Sequence, residues 1–232
     1  MSEYHSGAYF VRRGGRSGKG KRAAGILIAV LMLLTAAICL LVVFLPKLTA
    51  ATVGADGFGG KRFYFLATGK YEDRSDALFA SQDAINRGGA GYIYNDGAYN
   101  VIASVYDSES DAKALASVNE NSYYFEISVP KLDTGNESDL AALKFLTGEW
   151  FSTVQTAADE LQRGNATEAQ AEKAAVEACF KLSVFAASVG LPALGSALER
   201  ASECECPKDM PLLAYLRYVH VRAISLVVKA LA

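Results

Sequence analysis

Residues 64–77 read YFLATGKYEDRSDA and residues 99–112 read YNVIASVYDSESDA, a near-repeat at an offset of 35 residues. In each copy an aromatic opens a short strand-like run, and a second aromatic follows seven residues later (Tyr71, Tyr106). An acid-rich turn then leads into a helix-like segment at Ala77 or Ala112. Two copies of strand–turn–helix predict a compact α+β unit, with the rest of the chain as its anchor and its cover.

Working outward, Arg62–Thr68 (RFYFLAT) reads as the first strand, and residues 76–87 as a helix with Ala77, Phe79 or Ala80, Ala84 and Ile85 on its packing side. Asp73 or Ser75 is placed to cap it. Gly88, Gly89 and Gly91 end that helix. Tyr92–Tyr94 forms a short strand before the tight-turn sequence Asn95-Asp96-Gly97. Tyr99–Val105 is the third strand, Ser110–Val118 the second helix and Tyr123–Val129 the fourth strand. The expected order is βαββαβ, a four-stranded antiparallel sheet with both helices on one face.

The doubled pattern aromatic-x-apolar-x-x-Gly-x-aromatic, followed by an acidic or Ser-rich turn and an Ala-bearing helix, resembles a SPOR (sporulation-related repeat) domain. The closest matches are Tyr99-x-Val101-x-x-Ser104-x-Tyr106 and the Gly69-Lys70-Tyr71 turn. The likeness covers residues 62–130, roughly a third of the chain. It implies binding of peptidoglycan glycan strands at division or sporulation sites, and no catalysis. In that family the open sheet face holds the glycan. With Leu66, Val101 and Ala103 turned to the helices, alternation assigns Phe65, Ala67, Asn100 and Ile102 to that face, with Tyr124 and Glu126 from the last strand. Ala67 stands where the family's first strand often has Gln. An open face this apolar also admits a second reading, in which C-terminal helices or a partner cover it. The protein is then a cell-envelope interaction scaffold whose divergent domain no longer binds glycan.

After Pro130 the sequence turns helical. Ser138 is placed to cap a run in which Leu140, Leu143, Leu146, Trp150, Val154, Ala157 and Leu161 recur at helical spacing. Thr167–Gln170 has capping-box form. Further helices carry Ala171 to Val189, Leu194 to Ala201 and Leu212 to Val227, which together predict a small α-helical bundle over 132–232. Arg217, Arg222 and Lys229 interrupt the last helix, so it is no membrane span.

Toward the N-terminus, residues 26–45 are twenty uncharged, apolar residues, long enough for roughly 30 Å of bilayer core. Residues 1–22 carry six basic groups and one acid, net +5, so residues 23–232 carry −7 of the overall −2. The basic tail before the apolar block predicts a cytoplasmic N-terminus and an extracytoplasmic body. The cleavage-like stretch Leu48-Thr49-Ala50-Ala51 leaves removal of the block there as an alternative. The expected organisation is a cytoplasmic tail (1–23), a transmembrane helix (24–46), a flexible linker (47–61), the SPOR-like domain (62–131) and the bundle (132–232). An acidic body excludes a nucleic-acid partner.

Catalytic and metal residues are sparse. His5 lies in the tail and His220 stands alone on the last helix. Glu149 beside Trp150 reads as an ordinary exposed helix residue. Cys179, Cys204 and Cys206 permit one bridge, with Cys204 or Cys206 as partner to Cys179. C-x-C with one distant His falls short of a metal site. The expectation is a protein with no cofactor and no metal. Its partners are glycan strands or envelope proteins.

Overall fold

The computed structural model describes residues 57–118, 120–133 and 136–232. The tail, the expected membrane span and most of the linker lie outside the described residues. Among the described residues no helix is long and apolar enough to cross a membrane.

The chain runs β1 (Lys61–Tyr71), α1 (Arg74–Asn86), β2 (Tyr92–Asn95), β3 (Tyr99–Tyr106), α2 (Glu109–Ala116) and β4 (Tyr123–Val129), the expected βαββαβ order. The sheet is antiparallel with strand order β2-β3-β1-β4, the split βαβ arrangement. The near-repeat appears as strand pairing: Tyr64 stands opposite Tyr106, and Tyr71 opposite Tyr99. Each copy's first aromatic thus meets the other copy's second. Each strand also carries one residue without an opposite number, Thr68 in β1 and Ala103 in β3. These too are 35 residues apart. An extra residue bends its strand, so the two copies bend the central pair at one matched point.

The α1 helix packs by the expected side, with Ala80 and not Phe79 taking the open choice: Ala80 and Ile85 are half-buried beside Ala77 and Ala84. Ala77, Ser81 and Ala84 are its buried residues, while Phe79 is 79% exposed. Positions 77, 81 and 84 form one helical stripe, and the buried Ser81 hydroxyl donates to the Gly91 carbonyl. That bond ties the helix to the loop before β2, and Phe79 lies on the opposite, outer side. Asp73 occupies the N-cap position without a side-chain cap bond. Ser108 does cap α2, accepting from the Asp111 amide at 3.3 Å.

The C-terminal part contains α3 (Glu137–Phe145), a π-helical turn (Leu146–Trp150), α4 (Phe151–Gln162), α5 (Glu168–Ala186), α6 (Pro192–Ser202) and α7 (Leu212–Leu231). Asn136, not Ser138, is the N-cap residue of α3, and its amide donates to Asp139 Oδ2 at 3.3 Å. Asp139 is buried, and its Oδ1 also accepts from the amides of Gly190 (2.7 Å) and Leu191 (3.2 Å), which ties the start of α3 to the turn before α6. The Thr167–Gln170 capping box forms as expected. The π turn inserts an extra residue, worth about 100° of helix rotation. It accompanies two consecutive inward aromatics, Trp150 and Phe151.

These helices and the sheet share one hydrophobic core. It runs from Phe63, Phe65 and Ile102 through Leu143, Trp150 and Leu182 to Ile224 and Val227. Residues 62–131 and 132–232, read above as separate domains, lie in one compact unit. At its centre is α7, where Val219, His220 and Val221, and again Ala223, Ile224 and Ser225, are buried in consecutive threes. Three successive residues point about 100° apart, so α7 is enclosed on nearly every side.

Candidate interaction surfaces

The sheet has two faces, and both are occupied, by different means. On the first lie the residues expected to hold glycan. Phe65, Ala67 and Ile102 are 0% exposed and Asn100 is 2% exposed. The reason is the C-terminal segment: α7 packs on β2, β3 and β4, and Phe151 at the start of α4 meets Phe63 at 4.7 Å between ring centres. Tyr92 meets Tyr218 of α7 at 5.7 Å, and the Lys229 ammonium stands 5.4 Å from the Tyr94 ring centre. On the same face Phe65 meets Tyr94 and Phe125 edge-on, and Tyr94 and Phe125 are tilted against each other. The face expected to lie open is closed.

Asn100 has a structural task there. Its amide donates to Asp96 Oδ1 at 2.8 Å, which holds the β2–β3 turn, and its carbonyl oxygen accepts from the Tyr123 hydroxyl. Tyr123 pairs with Ala67 on β1, and reaching Asn100 on β3 takes it across that strand. The small side chain of Ala67 leaves room for the crossing, where a glutamine would fill it.

Tyr124 and Glu126 are on the opposite face, apart from the other four. The Tyr124 hydroxyl donates to Glu109 Oε1 of α2 at 3.1 Å, and Glu126 pairs with Arg62 at 3.6 Å. The bond to the Glu109 carboxylate raises the Tyr124 pKa. The six residues therefore form no single site.

That second face carries α1 and α2, and a groove of about 660 Å³ opens beside α1. Its lining includes both bulge residues, Thr68 and Ala103, with Gly89 between helix and sheet. A Cβ on Gly89 would meet Ala84 O at 3.1 Å and the Ala103 Cβ at 3.3 Å, so a side chain there is tightly opposed. Tyr71 folds back over Gly69, where a Cβ would collide with its ring. Asp83, Arg87, Val118, Glu120 and Ser122 complete the walls. Arg217 of α7 lines the groove and is held by the Gly88 carbonyl at 2.8 Å and by Gln162 at 2.6 Å. The sequence reading missed this groove. The matched positions 68 and 103 in the repeat were the available signal.

Elsewhere, His220 is buried against Phe151 (3.9 Å between ring centres) and Trp150 (5.7 Å), and its Nε2 has no hydrogen-bond partner. Burial pushes its pKa down to about 3 despite a hydrogen bond to the Phe151 backbone. Glu149 is exposed and pairs with Lys181 at 2.9 Å. Cys179 is bonded to Cys204, and Cys206 is free. No group of three or more His, Cys, Asp or Glu among the described residues could hold a metal ion.

No family model, curated protein or solved structure matches this chain.

Proposed function

We propose that the protein is a membrane-tethered docking module of the bacterial cell envelope, SPOR-like in its βαββαβ order, that engages a protein partner and does not bind glycan on its sheet. The observation that carries this reading is the closure of the sheet face by α7 and the start of α4. Fully burying one large apolar side chain is worth about 1.5–3 kcal/mol. Lifting α7 would re-expose Phe63, Phe65 and Ile102 together with the helix residues opposing them. That sum reaches the scale of a whole domain's stability, about 5–15 kcal/mol, so a glycan would have to unfold the protein to reach Ile102. The apolar stretch 26–45 and the basic tail before it support a single-pass anchor with the body outside the membrane.

The test is retention of the full-length protein on peptidoglycan stripped of stem peptides by an amidase. This reading expects no retention above that of an unrelated membrane protein carrying the same affinity tag. Saturable retention, competed by soluble denuded glycan, would overturn it.

A further inference from the structure

Two properties of the α1–α2 layer coincide. Residues 72–87 and 107–120 hold eight acidic and three basic residues, net −5. These 30 positions thus carry most of the −7 borne by residues 23–232. The same segments hold Leu78, Phe79, Leu115 and Val118, four of the six exposed large hydrophobic side chains among the described residues. Phe79 and Val118 are the most exposed, at 79% and 75%. Between the strands and α1 lies the groove over Thr68 and Ala103, with Val118 on its wall. The groove's own lining balances Asp83 and Glu120 against Arg87 and Arg217, so the excess negative charge lies around it, and exposed apolar side chains ringed by carboxylates suit a ligand of matching chemistry.

We propose that this layer receives a segment of a partner protein that presents apolar side chains flanked by lysine or arginine. Its apolar side chains enter the groove beside Val118 and pack on Phe79, while its cations face the surrounding carboxylates. Other occupants fit less well. Anionic lipid headgroups and nucleic acid are repelled by the net −5, and a second copy placed face to face brings the same charge against itself. The inference rests on the docking reading and names the partner's chemistry.

The experiment uses the full-length protein in zwitterionic lipid nanodiscs, with a photo-crosslinking residue at position 79, 118 or 180. Phe180 of α5 is also exposed, at 59%, but lies outside the acidic layer. The probe is a short helical peptide of leucine and lysine, compared with the same peptide carrying glutamate for lysine. The lysine peptide should crosslink at 79 and 118 at least about tenfold more than at 180, with the yield falling as salt rises. The glutamate peptide should give background. In otherwise native protein, Phe79→Ser with Val118→Ser should weaken lysine-peptide binding about tenfold or more with an unchanged melting temperature. Equal yields from the two peptides, equal or greater yield at 180, no crosslink at 79, or full affinity in the double variant would each overturn the assignment. Crosslinking confined to 180 would move the docking site and leave the docking reading intact. Glycan retention would remove that reading whatever the peptides do.

Discussion

His220 makes stability depend on pH in a defined window. The imidazole is enclosed by Phe151 and Trp150, and burial lowers its pKa to about 3. In the unfolded chain it titrates near 6.5. Below pH 6.5 the unfolded state therefore binds a proton that the folded state refuses, and unfolding becomes easier as pH falls. Above pH 6.5 both states are neutral at this residue and its contribution is level. The slope is about 1.4 kcal/mol per pH unit between about 6.5 and 3. At pH 5 the loss amounts to about 2 kcal/mol, a sizeable part of a stability of about 5–15 kcal/mol. Urea unfolding at several values between pH 7.5 and 5 measures it, with His220→Phe as the comparison. Phenylalanine keeps an aromatic ring in the pocket and cannot take the proton. The carboxylates titrate alike in both proteins, so the wild-type minus variant difference isolates the imidazole. That difference should be flat above pH 6.5 and should grow to about 2 kcal/mol at pH 5. A difference that stays constant from pH 7.5 to 5 would refute the account, since it would mean that His220 charges as readily folded as unfolded.

Other substitutions test the packing. Phe65→Ala should cost about 3–5 kcal/mol in denaturant unfolding, as a fully buried aromatic does, whereas Phe79→Ser should change stability by less than about 0.5 kcal/mol; the opposite ranking would mean that the sheet face is open. Asp139→Ala leaves the Gly190 and Leu191 amides without their acceptor and should lower stability by about 2–3 kcal/mol, with Asp139→Asn milder because its amide oxygen still accepts. Replacing Cys179 and Cys204 by serine opens a loop with a sequence separation of 25 and should cost about 3 kcal/mol. In the unreduced wild type, peptide mapping after alkylation should, among the three cysteines of the described residues, find label on Cys206 and not on Cys179 or Cys204. The reaction should be slow near neutral pH, because partial burial and the nearby Glu172 and Glu168 push that thiol's pKa up.

How much of this was legible in the sequence follows from what each feature depends on. The βαββαβ order, the Asn95-Asp96-Gly97 turn and the Thr167–Gln170 cap are settled by residues near one another in the chain. Periods of 2 and 3.6 and local hydrogen-bonding side chains suffice to read them. The pairing of Tyr64 with Tyr106 was implicit in the 35-residue repeat, because two similar strands placed antiparallel bring their ends together. The inward positions Leu140, Leu143, Leu146, Trp150, Val154 and Ala157 were also correct.

Tertiary structure decided what each surface meets. The apolar residues Phe65, Ala67 and Ile102 were equally compatible with an open face and a covered one. Only the docking of α7, some 110 residues further along the chain, separates the two. The apolar side of residues 212–227 marked a bundle helix, but a hydrophobic residue does not specify which apolar surface it will join. The same non-directionality accounts for Phe79: the sequence left Phe79 or Ala80 for the packing side, and the folded helix turns Ala80 toward the sheet and leaves Phe79 exposed. The sequence alone determined the βαββαβ order of elements and the separation of a basic tail from an acidic body. Which sheet face is buried, and where the groove opens, was decided in three dimensions, because burial is shared between segments while periodicity belongs to one.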